Sequence, residues 1–293
     1  MEAEITELRK QVIEQILTQQ DESFRWGFSA KQALERPEYL YYSPNFRSTL
    51  WTLLLLADIQ APIDLPQVKP SILLVVERFY DPDHGIFRLL NRVNFPIPCL
   101  NGNMIYLLQY FEPSRSETLE RTISFFAAQQ RFDDGDPGPA KTHPYSTNIS
   151  CYGKHTCFWG VTKLLKGLSF IPKSQRTRAA QELIEKCIDF VLQHEVCFSS
   201  HHREKFLHGS ISQLAFPNFY KSDFLEILWL LTREEVRDAR MARTLDLLRS
   251  RRKADGTWEL EKPMNIIASI GQKGCTNAFI TARANQVLEF YGD

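Results

Sequence analysis

The sequence predicts an all-α protein of about five helix-pair repeats, arranged as an inner ring of apolar helices covered by an outer ring of amphipathic ones. Three observations lead there. Apolar residues recur at helical spacing along most of the chain. Strongly apolar helical stretches alternate with amphipathic ones. And one stretch has a partial copy: Cys99-Leu-Asn-Gly102 and Cys157-Phe-Trp-Gly160 each open a leucine-bearing helix, with the same spacing from Cys to Gly.

The elements follow in order. Leu8, Val12, Ile13, Ile16 and Leu17 mark the apolar stripe of a first, amphipathic helix that ends near Asp21. The next helix, Phe46 to Ile59, contains LWTLLLLADI and is apolar nearly all round, so it is expected to be buried on most sides; Ala61-Pro62 stops it. Pro70 suits the first turn of a third helix, which ends in the turn residues Asp81, Pro82 and Gly85. The Cys99 helix runs to Phe111, and Ser116 to Gln130 forms the amphipathic helix after it. Phe158 to Phe170 is the second copy, followed by an amphipathic helix from Ser174 to Gln193. A long loop over 195–217 carries His201, His202 and His208; loops of that length are commonly functional. The last three helices are expected at Asp223 to Leu231, Glu234 to Arg251 and Asn277 to Tyr291.

Composition bounds the function. The chain has 293 residues, 43% hydrophobic and 24% charged, which fits a folded protein; its size permits one large domain or two ordinary ones, and the ring of repeats is expected as a single domain over 1–293. Lys plus Arg and Asp plus Glu balance at 35 each, so no charge excess directs the protein to nucleic acid or an anionic membrane. No apolar run approaches the ~20 residues of a membrane span. The first residues, MEAEITELRKQ, do not read as a secretory leader, so a cytoplasmic protein is expected. Its six cysteines are then expected as thiols, with Cys187 a small core residue.

Turns at the ends of the amphipathic helices share one design. QQRFDDG (129–135) and RRKADGTW (251–258) each place Asp-Gly after a helix end, and Asp83-His84-Gly85-Ile86-Phe87 is a looser version. These turns resemble the Gln-Trp repeat of squalene and terpene cyclases and the matching turns of protein prenyltransferase β subunits. Together with CLNGN, SCYGKHTCFWG, HHREKF and FPNFYKSDFLEIL, they make the chain similar to an uncharacterised bacterial branch of that family over about Ile13 to Tyr291. The resemblance implies an α/α toroid enclosing a hydrophobic cavity. It also implies an isoprenoid-type ligand, with prenyl transfer or cyclisation as the chemistry and a non-catalytic binding scaffold as the alternative. The family's catalytic motifs are missing: the chain has no D-x-D-D, no D-x-C and no D-D-x-x-D.

Several residues are candidates for a site. Cys99, Cys151, His155 and Cys157, with His201 or His202 from the long loop, offer the sulfur and nitrogen donors that zinc favours; the metal set is Cys99, Cys151, His155, Cys157 and His202. The same cysteines equally read as small residues that let helices approach, helped by Gly102 and Gly160. Asp223 reads as a helix N-cap or, facing a cavity, as a general acid. Tyr220 and the other aromatics near the apolar helices read as core or as cavity wall able to face a carbocation. Arg47 and Arg283, on or near apolar helices, read as diphosphate ligands or as partners of Asp223 or Glu226.

Overall fold

The computed structural model describes residues 2–27, 46–88, 96–112, 117–135, 151 and 155–292. Residues 136–150, and 152–154 of the Cys151 segment, lie outside them. The described chain is mostly helical. It contains ten α-helices: α1 (Glu2–Leu17), α2 (Thr49–Asp58), α3 (Val68–Phe79), α4 (Pro98–Phe111), α5 (Glu117–Gln129), α6 (Phe158–Ser169), α7 (Arg178–Gln193), α8 (Phe224–Arg233), α9 (Ala242–Ser250) and α10 (Ala278–Tyr291). One two-stranded antiparallel hairpin, Tyr80–Asp81 with Ile86–Phe87, follows α3.

Burial alternates along this order. Every residue of α2 is buried, and in α6 everything from Gly160 to Ser169. In α5 and α9 only a narrow stripe is buried: Leu119, Thr122, Ile123 and Phe126 in the first, Thr244, Leu245 and Leu248 in the second. The buried helices contact one another in sequence order, α2 with α4, α4 with α6, α6 with α8 and α8 with α10. The first helix also touches the last. Gln19 Nε2 donates to the Ile267 carbonyl at 2.9 Å, and Ser269 N to Gln15 Oε1 at 3.1 Å, tying the two ends of the described chain together.

Glycine decides how closely α4 and α6 approach. A Cβ on Gly102 would sit 2.3 Å from the Lys163 backbone, and one on Gly167 2.5 Å from the Gly102 carbonyl oxygen. The two backbones are therefore in direct contact, which no other residue permits. Gly160 has a different role, since its missing Cβ would meet the Pro98 side chain at 2.8 Å.

Two tryptophans repeat one device. Trp258 is fully buried; its indole Nε1 donates to the Leu248 carbonyl at the end of α9, and its backbone N–H to Thr281 Oγ1 on α10. Trp26 makes the same pair of bonds, to the Ile16 carbonyl on α1 and to Thr49 Oγ1 on α2. In each case an aromatic after a turn locks an amphipathic helix to the buried helix that follows. Gly135 and Gly256 adopt φ of +107° and +83° beyond α5 and α9, as the turn reading expects.

Two helix starts and one turn differ from the sequence reading. The helix expected from Glu234 starts only at Ala242: Glu235 takes a left-handed φ of +57°, and Asp238 caps a short 3₁₀ turn over Ala239–Met241. The helix expected from Ser174 starts at Arg178, because the Thr177 side chain accepts from Ala180 N and fixes the N-terminus there. Residues 80–87, read as turn, close into the hairpin through Asp81, whose carboxylate takes both His84 and Arg88 at 2.7 Å.

Gly102→Ala is expected to cost about 3 kcal/mol in urea unfolding, because backbone cannot move aside for the new methyl group. Gly209→Ala, where nothing lies within 4 Å of the new atom, is expected to change stability by less than about 0.5 kcal/mol.

Candidate functional site

Lys163 and Lys166 lie three residues apart on α6 and so share one face of the helix. The face turns inward. Lys163 Nζ lies 2.5 Å from Glu226 Oε2 and 2.6 Å from the Asn218 carbonyl; Lys166 Nζ lies 2.9 Å from Glu226 Oε1 and 2.6 Å from Asp58 Oδ1. All four side chains are 1% exposed or less. Lys166 also sits over the Tyr106 ring, 4.4 Å from its centre. Arg283 Nη1 reaches Asn218 Oδ1 at 3.1 Å. Asp58 is on α2, Tyr106 on α4, the lysines on α6, Glu226 on α8 and Arg283 on α10. Each buried helix thus contributes a polar side chain to one shared layer.

The layer's protonation follows from its contacts. Burial lowers the Lys163 pKa to about 8, against the opposing pull of Glu226 and with Lys166 adding to the fall. Burial works to raise Glu226, but Lys163, Lys166 and Arg283 together hold it well below the usual carboxylate range. Tyr106 is pushed well above the phenol range, first by burial and then by the Asp58 charge.

Cavities lie at both ends of this layer. One of about 580 Å³ is bordered by Asp58 and Arg283 and walled by Tyr106, Phe170, Phe216, Trp229 and Phe279, with Arg9 and Arg233 also lining it. Asp58 Oδ2, buried at its edge, has no hydrogen-bond partner among the described residues. The other, of about 470 Å³, is lined by Phe46, Asn218, Tyr220, Lys221, Asp223 and Met264 among others. Asn218 borders this second cavity while holding Arg283 of the first, so the polar layer stands between them.

The expected catalytic candidates divide between the two. Asp223 and Tyr220 line the 470 Å³ cavity and Arg283 the 580 Å³ one. Asp223 is the N-cap of α8: Oδ1 accepts from Glu226 N and Oδ2 from Ala215 N, both at 2.7 Å. Burial nevertheless raises its pKa to about 6. Arg47 is exposed, just before α2.

The metal candidates also divide. Cys99 lies in the first turn of α4 and Cys157 at the N-cap of α6, close enough for Cys157 to act on Cys99. Burial and Cys157 push the Cys99 thiol up to about 12, while a hydrogen bond from Cys151 holds Cys157 below the ordinary thiol value. The three thiols neighbour one another, Cys151 hydrogen-bonded to Cys157 and Cys99 close enough to act on Cys151. Among the described residues, only Asp134, His155 and His201 bring three candidate donor atoms within 4.8 Å of one another. His155 thus leaves the thiol group, and His202 lines the same surface cavity as His155 and His201 without joining their cluster. Cys197 is buried with its sulfur 3.4 Å from Thr244 Oγ1, away from the loop histidines.

Sequence reasoning missed Lys163, Lys166 and Asp58, although two lysines in the otherwise apolar FWGVTKLLKGL were a visible signal. It also missed Asp134 and His194.

No protein-family model matches the chain, and no curated protein matches it in sequence. Among solved structures it is similar to apo type II terpene cyclase MstE from Scytonema, at 13% identity over 97% of each chain and a TM-score of 0.37. It is similar as well to a variant of that cyclase in complex with its product, merosterolic acid A, at 12% identity over 98% of this chain and 96% of the other, with a TM-score of 0.38. At these TM-scores the likeness decides neither fold nor chemistry.

The lowered Lys163 pKa has a signed consequence. Between about 8 and the ordinary lysine value of 10.5, the unfolded chain holds a proton that the native site has released. Raising pH through that window therefore favours the native state. Urea unfolding at a series of pH values is expected to show wild-type stability rising relative to Lys163→Met across it; a pH-independent difference would contradict the assignment.

Proposed function

We propose that the chain is an α/α toroid of the prenyltransferase and cyclase type that binds an isoprenoid-type ligand in the cavity between Asp58 and Arg283. The observation that carries this reading is the cavity's two-sided chemistry. Six aromatic side chains, Tyr110 among them, offer the apolar faces that a branched hydrocarbon tail fills, and Arg9, Arg233 and Arg283 offer charge for an anionic head. Arg233 already stacks 3.9 Å above the Phe170 ring and Arg283 4.5 Å from the Trp229 ring, so the guanidinium groups are held in place before any ligand arrives. The toroid itself is supported by the alternation of burial and by the contact of α1 with α10.

Binding is favoured over acid-initiated cyclisation by the contacts of the two aspartates that border the cavities. A cyclase-type acid must touch its ligand while protonated. Asp58 borders the cavity but is paired with Lys166, and Asp223 lies beyond the polar layer with both oxygens accepting backbone N–H bonds. The proposal places the protein in the cytosol, where its six free thiols persist. Among the described residues no helix is long and apolar enough to cross a membrane.

Calorimetry with farnesyl diphosphate and with farnesol tests the reading. Saturable binding of at least one is expected, weakened at least about tenfold by Ala282→Phe, which fills the cavity from α10 without removing a polar group. Absence of binding for both, or binding indifferent to Ala282→Phe, would reject it.

A further inference from the structure

A separate cluster lies on the surface where the turn after α5 meets the segment before α6. Asp134 and His155 pair there as an isolated antiparallel bridge, reinforced by Thr156 N donating to the Asp133 carbonyl at 2.7 Å. The loop after α7 closes over them. Three imidazole nitrogens converge on one oxygen: His155 Nδ1 at 3.2 Å, His201 Nε2 at 3.5 Å and His194 Nε2 at 4.0 Å from Asp134 Oδ1. The other carboxylate oxygen accepts from Ser200 Oγ at 2.5 Å and Gln193 Nε2 at 3.3 Å, which fixes the orientation of Oδ1. His201 Nε2 also lies 2.9 Å from the Asp134 carbonyl oxygen.

Two further observations point to a ligand. His194 is 3% exposed, and its ring nitrogens make no hydrogen bond of ordinary geometry among the described residues; their polar neighbours are the Phe198 backbone and Asp134 Oδ1 at 4.0 Å. And Gly135, at φ +107°, leaves an open cradle: a Cβ there would stand 3.0 Å from His155 Cε1 and 3.3 Å from His201 Nε2. The histidines approach because that atom is missing.

We propose that Asp134, His155 and His201 hold a zinc-class divalent cation. Nitrogen and oxygen ligands about 2.0–2.1 Å from a tetrahedral ion lie about 3.3 Å from one another, which matches the 3.2 and 3.5 Å separations. Imidazole and carboxylate donors suit zinc, and three protein ligands leave a fourth position for water; His194 Nε2, 4.0 Å from Asp134 Oδ1, borders the site. The ion would staple the long loop to the end of α5 and the start of α6. This ligand set differs from the cysteine set suggested by the sequence and shares only His155 with it. It also stands apart from the isoprenoid cavity, so either proposal survives failure of the other.

The test uses the full chain, tag removed, stripped with chelator and dialysed against zinc or cobalt. One metal ion per chain is expected by elemental analysis. The cobalt form is expected to show tetrahedral visible bands without a sulfur-to-cobalt charge-transfer band. His155→Ala and His201→Ala are expected to weaken zinc binding at least about tenfold, and Gly135→Ala to weaken it too. Both histidine side chains are more than half exposed, so these variants should keep their fold, which circular dichroism verifies. Cys157→Ser is expected to bind zinc as the wild type does. No stoichiometric uptake, uptake indifferent to both histidine substitutions, or loss on Cys157→Ser would overturn the proposal.

Discussion

The double ion pair that Glu226 makes with Lys163 and Lys166 is the constraint on which the interior depends. Removing four charged groups from water costs several kcal/mol each, and only close pairing offsets it. That requirement fixes where the helices stand. Glu226 on α8 must reach α6, and Asp58 at the end of α2 must reach Lys166 across the bundle. The bare backbone contact at Gly102 and Gly167 presses α4 onto the same face of α6, bringing the Tyr106 ring beneath Lys166. Arg283 joins from α10 through Asn218. A slip of α2, α6, α8 or α10 by one turn, about 5.4 Å, would leave at least one of these charges without a partner. Apolar packing alone tolerates such slips better, since it is non-directional.

The same layer shapes what the protein can bind. It stands between the two cavities, so the one on the α10 side is closed at Asp58 and Arg283 where an uninterrupted apolar cavity would continue. For the proposed ligand this leaves the aromatic wall to the hydrocarbon tail and Arg9, Arg233 and Arg283 to the anionic head. The proposed cation site belongs to a different part of the molecule, the outer turns, and its role there is to hold the long loop in place.

Much of the helical order was legible in the sequence because burial follows apolar period, and the runs around Leu53 and Leu228 leave no alternative to a buried helix. Trp258 was legible through its turn. Trp26 makes the same two bonds but follows QQDESFR, without the Asp-Gly signal, and only the distances reveal it. The start of α9 was lost because Glu234 to Asp238 carry no glycine or proline, and the break comes from one left-handed residue, Glu235. The candidate sites were legible only in part. The equivalence of Cys99 and Cys157 pointed to one end of the helix pair, but ligand geometry depends on side-chain direction, which spacing does not encode. Lys163, Lys166 and Asp58 find their partners across as many as 108 residues of chain, so sequence shows the charges without showing the pairing. Asp134 and His194 escaped for the same reason, being distant in the chain and joined only by the fold.

The most direct test of this account is urea unfolding of Glu226→Gln. The substitution keeps the volume of the side chain and removes one charge, leaving Lys163 without its anionic partner and Lys166 with Asp58 alone. Loss of one partner from a buried pair predicts a destabilisation of about 3–5 kcal/mol. A loss below about 1 kcal/mol would mean that the interior is held by apolar packing, and that the polar layer does not set the positions of the helices.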